Sequence, residues 1–136
     1  MNRILLISLF IFLVSSCVNS DKENKTDENG KQYDIEVTSQ ELYSAFTSDN
    51  ESASAKYNNK KVKITGVIED NLKKRRSRWY INLKVKQRFG FVMCHFSDDF
   101  DNENWEFSRK DEITLIGICD SYDVMVKLTD CRVFIE

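Results

Sequence analysis

Glycine and histidine are scarce in this chain of 136 residues, which has four of the first and one of the second. With so few glycines there is no G-x-x-x-x-G-K loop to cradle a phosphate. A Ser-His-Asp relay would have to run through His95, and no G-x-S-x-G turn presents a serine to it. There is no C-x-x-C either. Cys94 and His95 are adjacent in an alternating run, so their side chains point to opposite faces, a poor arrangement for zinc. Asp98, Asp99, Asp101 and Glu103 lack the glycine and terminal glutamate of an EF-hand. An excess of one charge is missing too: 20 Lys and Arg face 22 Asp and Glu, for a net charge of -2. Bulk electrostatics therefore argue neither for nor against nucleic acid. With no catalytic constellation, no metal site and no cofactor motif, the expectation is a protein that is not an enzyme and carries no cofactor.

The chain also lacks an apolar run of the ~20 residues needed to cross a bilayer. Its longest run, Ile4 to Val14, is preceded by Arg3 and followed by Ser15-Ser16, the layout of a cleaved secretory signal. Val14-Ser15-Ser16-Cys17 resembles the lipobox of bacterial lipoproteins. That resemblance implies a diacylglyceryl thioether on Cys17, cleavage after residue 16 and acylation of the new N-terminus. Several acyl chains on one residue give a stable anchor, where a single chain binds only marginally. Val18 is not the aspartate that retains some lipoproteins at the inner membrane, which points toward the outer membrane or cell surface. Ser20-Asp21-Lys22-Glu23 looks like the surface-export signals some lipoproteins carry after the lipidated cysteine.

Removal of residues 1–16 leaves enough chain for one domain. From Val18 to Glu36 the sequence VNSDKENKTDENGKQYDIE is polar and without apolar periodicity, so residues 17–36 read as a lipidated cysteine and flexible tether. Order is expected from Val37. Thr38 and Glu41 have the spacing of a capping box, followed by Leu42, Ala45 and Phe46 at helical spacing. A second short helix, Glu51 to Lys56, would turn Ala53 and Tyr57 inward. After Asn58-Asn59 the period changes to two. Strands are expected at Lys61–Ile68, Trp79–Val85, Gly90–Phe96, Glu112–Cys119, and Val124–Leu128 running on to Cys131–Ile135. Gly66 and Gly117 lie inside strands and mark bulges or sharp bends.

Five short strands with glycine bends behind a helix suggest a mainly β protein, a five-stranded barrel with an N-terminal helix. The segments Tyr57-x-x-Lys60-Lys61-Val-x-Ile-x-Gly66-x-Ile68, Val92-x-Cys94-x-Phe96, Lys110-Asp-Glu-Ile-Thr-Leu-x-Gly117-x-Cys119 and Val126-x-Leu128-x-x-Cys131-x-Val133 together resemble the tRNA-anti-like OB-fold family of exported bacterial proteins. The resemblance extends over residues 37–136 and implies an OB fold. It departs at Lys110, where the family usually has glycine before the aspartate that opens the fourth strand. The family name records likeness to anticodon-binding domains and does not imply RNA binding.

In an OB barrel the third and fifth strands are neighbours, and Cys94 and Cys131 then share the inward face. Export places them where disulfides persist. The expectation is a Cys94–Cys131 bond with Cys119 left over. His95 reads as an ordinary outward-facing strand residue.

The strongest candidate for a binding site is the basic run between the first two strands: Lys73, Lys74, Arg75, Arg76 and Arg78, with Trp79 and Tyr80. In OB folds that loop flanks the usual ligand face. Cations beside rings suit a single-stranded polyanion, and equally a solvated hairpin. An acidic stretch, Asp98 to Glu106, opposes it along the chain. The leading expectation is a non-enzymatic envelope module, anchored through Cys17, whose partner is a protein, a glycan or an anionic polymer. Single-stranded nucleic acid is the alternative, against which compartment and an acidic pI both count; an OB-type hydrolase is a third.

Overall fold

The computed structural model describes residues 25–26, 32–120 and 125–136. The expected signal segment, Cys17, most of the expected tether, and residues 121–124 lie outside them. No helix among the described residues is long and apolar enough to cross a membrane.

The first helix forms where its cap predicts. In α1 (Ser39–Ser48) the Thr38 hydroxyl accepts from the Glu41 backbone N–H at 3.2 Å, and the Glu41 carboxylate accepts from the Thr38 N–H at 2.9 Å. Those bonds hold the Glu41 carboxyl below its usual range. The next helix, α2 (Asn50–Tyr57), starts on Asp49, whose carboxylate accepts from the Ser52 N–H. Leu42, Phe46, Ala53 and Tyr57 are the apolar residues these helices bury, as their spacing requires.

Three short strands precede the helices. β1 (Lys25–Thr26) pairs antiparallel with β2 (Gln32–Tyr33), and β3 (Ile35–Thr38) joins the main sheet. The remaining strands are β4 (Lys61–Val67), β5 (Lys73–Arg75), β6 (Arg78–Lys84), β7 (Phe91–Phe96), β8 (Glu112–Asp120) and β9 (Val126–Val133). The main sheet has seven strands in the order β3-β4-β8-β9-β7-β6-β5. β3 lies parallel to β4 and β9 parallel to β7, and the other pairs are antiparallel. A single bridge, Ile68 to Leu83, joins the end of β4 to β6, with the Glu69 N–H donating to Asn82 at 2.8 Å.

This corrects the expected five-stranded barrel. All five expected strands are present, but the sheet gains β3 and β5, and its seam is one bridge in place of a ladder. The architecture is OB-like without being a closed barrel. The core nevertheless closes on itself: Val62, Ile64, Ile81, Leu83, Val92, Leu115 and Leu128 are fully buried, with Leu42 and Phe46 of α1 set against them. Every residue of that core lies between Val37 and Cys131, so a chain beginning at Val18 keeps all the burial that drives folding.

Ordered structure also begins before Val37. Lys63, on the face of β4 away from the core, is buried between two rings, 4.1 Å from the Phe134 centroid and 5.3 Å from that of Tyr33. Its ammonium pairs with Glu36 at 3.5 Å, and Glu36 is its partner across the β3–β4 ladder. A buried ammonium demands such partners, and β3 brings them.

The two glycines act differently. At Gly117 the β8–β9 register shifts, and a Cβ there would lie 2.5 Å from Cys131 Sγ. Gly66 keeps regular pairing with Ile113, so no bulge forms. Its bare Cα instead lets α1 approach, since a Cβ would stand 2.7 Å from Ser39 Oγ.

The expected disulfide is absent: Cys94, Cys119 and Cys131 are free, buried thiols. β7 and β9 are neighbours as anticipated, but their register slips between Cys94 and Phe96. Cys94 therefore faces Leu128, and Cys131 faces Phe96. Burial above all, and then a hydrogen bond with Cys94, pushes the Cys131 thiol far up; burial takes Cys119 to about 12.

Candidate anion-binding groove

The basic run forms a tight hairpin. Lys73, Lys74 and Arg75 of β5 pair with Tyr80, Trp79 and Arg78 of β6. Arg76 and Ser77 turn the corner with φ of 48° and 68°, the left-handed pair that two-residue hairpins favour. Alternation then sorts the side chains. Ile81 and Leu83 of β6 enter the core, so Arg78 and Tyr80 face outward, and Lys73 and Arg75 opposite them share that face.

The same rule fixes the next strand. Cys94 and Phe96 of β7 are core residues, which leaves His95 on the outer face, opposite Tyr80. Their ring centroids are 5.4 Å apart. Parallel pairing of β7 with β9 sets Lys127 beside Met93, and Thr129 follows two residues on. The result is a groove of about 420 Å³ lined by Arg75, Arg76, Arg78, His95, Lys127 and Thr129.

Of the seven residues expected at the site, Arg75, Arg76 and Arg78 line this groove and Tyr80 buttresses it through His95. Lys73 lies on the same face, but its ammonium is held by Asp70 at 2.9 Å, which raises its pKa and lowers that of Asp70. Lys74 and Trp79 share the other face: the ammonium sits 5.1 Å from the indole, and Trp79 packs against the core. His95, Lys127 and Thr129 were missed as site residues. Alternation alone gives their outward orientation, but their convergence on the arginines comes from strand pairings distant in sequence.

Two groove cations have internal counter-ions. Arg78 Nε lies 3.4 Å from Asp98, and Lys127 Nζ lies 3.0 Å from Asp120. Arg75 and Arg76 have no ion pair among the described residues. Burial, then the charges of Lys127, Arg78 and Arg75, lowers the His95 pKa, so the ring is neutral near pH 7. Its Nδ1 is buried without a hydrogen-bond partner. Guanidinium forks next to a neutral imidazole suit an incoming oxyanion: the forks bind it in bidentate geometry, and its charge favours protonating the ring.

The OB-like sheet thus carries a cationic groove on the outer face of β6, β7 and β9. The chain belongs to the tRNA_anti-like family, whose model matches residues 2–132. A solved structure from Klebsiella pneumoniae subsp. pneumoniae MGH 78578, described as a "putative nucleic acid-binding lipoprotein", shares the fold with a TM-score of 0.57. The two are 21% identical over 73% of this chain and 92% of that one. The comparison with curated proteins finds no match.

Proposed function

We propose that this protein is a lipid-anchored, non-enzymatic binding module of the bacterial envelope, and that it engages a phosphate-bearing single-stranded chain along the β6–β7–β9 face. The observation that carries this reading is the convergence of Arg75, Arg76, Arg78, His95 and Lys127 on one groove from four strands and a turn. Solvated charges scattered by chance would not converge so. The lipobox-like Val14-Ser15-Ser16-Cys17 supports the anchor, as does the lipoprotein description of the Klebsiella structure. That description also favours single-stranded nucleic acid as the first probe, over the protein and glycan partners.

The test is fluorescence anisotropy of a labelled oligothymidine with residues 18–136. The triple variant R75E/R76E/R78E should bind roughly a hundredfold more weakly, as expected for loss of about three phosphate contacts. The probe should be recovered intact after prolonged incubation with added calcium. Equal binding by the variant would remove the groove from the account, and cleavage of the probe would overturn the non-enzymatic reading.

A further inference from the structure

At the opposite end of β6 from the groove, the chain turns back through residues 84–90. This turn carries Lys84, Lys86 and Arg88, all exposed, and Phe89, which is 88% exposed. Phe89 is the most exposed large hydrophobic residue among those described. The Arg88 guanidinium rests 5.5 Å from its ring centroid. None of the three cations has an ion-pair partner among the described residues.

The exposure does not come from a loose loop. The Lys86 N–H donates to Gln40 Oε1 at 2.6 Å, the Gln40 amide donates to Gln87 at 3.2 Å, and the Gly90 N–H donates to the Gln87 carbonyl at 3.1 Å. Tyr43 of α1 lies under Gly90, so close that a Cβ would meet its ring at 2.7 Å. α1 thus braces the turn from beneath and presents Phe89 outward. An aromatic ring framed by unpaired cations is the chemistry that an anionic bilayer surface recognises: the ring enters the interface, and the cations meet the headgroups.

We propose that this turn is a membrane contact, with Phe89 entering the interface of an anionic bilayer and Lys84, Lys86 and Arg88 bound to its headgroups. The lipid-anchor reading brings the bilayer within reach. The eight steps from Cys17 to Lys25 can extend about 27 Å, Lys25 stands beside Tyr33 in the β1–β2 pair, and β3 then leads the chain to Thr38 and α1, where Gln40 holds the turn. The contact would also orient the domain. Six residue steps of β6 separate Lys84 from Arg78, about 20 Å at strand rise, so the groove is held off the membrane and open to a ligand.

The experiment measures binding of residues 18–136, which lack any acyl chain, to phosphatidylcholine vesicles with and without 30% phosphatidylglycerol. Binding to the anionic vesicles should fall roughly a hundredfold in K84E/K86E/R88E, and about tenfold in F89S. It should persist in R75E/R76E/R78E. Oligothymidine binding should be unchanged in the turn variants, which separates this contact from the groove. Failure to bind anionic vesicles, or loss of binding only when the groove arginines are reversed, would overturn the proposal. A full-length C17S variant that is released from cell membranes tests the anchor separately.

Discussion

Tyr80 and His95 face each other across the β6–β7 ladder with ring centroids 5.4 Å apart, on the side of the sheet that the core does not use. That pairing holds the imidazole among Arg75, Arg78 and Lys127, where burial and positive charge both disfavour its protonated form.

The pH dependence follows from that lowered pKa. Above the ordinary value of 6.5 the ring is neutral in both folded and unfolded chains. Below it the unfolded chain takes up a proton first, so stability declines with falling pH until the folded value is reached. Thermal melts of wild type and H95N between pH 7.5 and 5.5 should show a smaller loss in the variant. A polyanion reverses the sense by favouring the protonated ring. Oligothymidine affinity should therefore rise on acidification in wild type and change less in H95N.

Asp98 competes with any ligand for Arg78, and both side chains are mostly exposed. D98N should tighten polyanion binding about threefold while leaving the melting temperature nearly unchanged, because exposed pairs contribute little stability. Weaker binding by D98N would show that the carboxylate positions the arginine and does not compete for it.

Lys110 has φ of 79°, in the left-handed region where a side chain costs ~1–2 kcal/mol and glycine costs nothing. Its N–H donates to the Ile68 carbonyl at 2.9 Å, and that bond keeps the conformation. K110G should stabilise the protein by about 0.5 kcal/mol after the extra chain entropy of glycine is offset, raising the melting temperature by ~2–4 °C. A lower melting temperature would mean that the lysine side chain contributes more than its backbone strain costs.

Three buried thiols should resist alkylation in the native protein, since burial pushes the Cys131 thiol far up and that of Cys119 to about 12. In denaturant without reductant, peptide mass mapping should find labels on Cys94, Cys119 and Cys131. A Cys94–Cys131 disulfide in that map would contradict the free thiols.

The hydrophobic alternation that made β4, β6, β7, β8 and β9 legible is absent from β5 and only four residues long in β3, the two strands of the main sheet that escaped notice. β5 is Lys73-Lys74-Arg75, without an apolar residue; the ladder to β6 and the Arg76-Ser77 turn make it a strand. β3 is four residues at the end of a polar stretch, drawn into the sheet by the need of Lys63 for Glu36. The site was legible to the same extent. Its arginines stood out as a run, but alternation divides that run between two faces. His95 and Lys127 reach the groove only through the antiparallel β6–β7 and parallel β7–β9 pairings. The disulfide expectation had the right neighbours on the right face: the slip after Cys94 sets Cys131 opposite Phe96, and the Cys94 and Cys131 thiols share a hydrogen bond but are free.

The most direct test of the groove is the salt dependence of oligothymidine binding to residues 18–136. Phosphate contacts release counter-ions, so log K should fall linearly with log salt, with a slope of magnitude about 0.7 per contact on a single strand. The expected slope lies between about -2 and -4, reduced by roughly 0.7 in each of R75A, R76A and R78A. Affinity that does not vary with salt, or slopes left unchanged by all three substitutions, would contradict the groove reading.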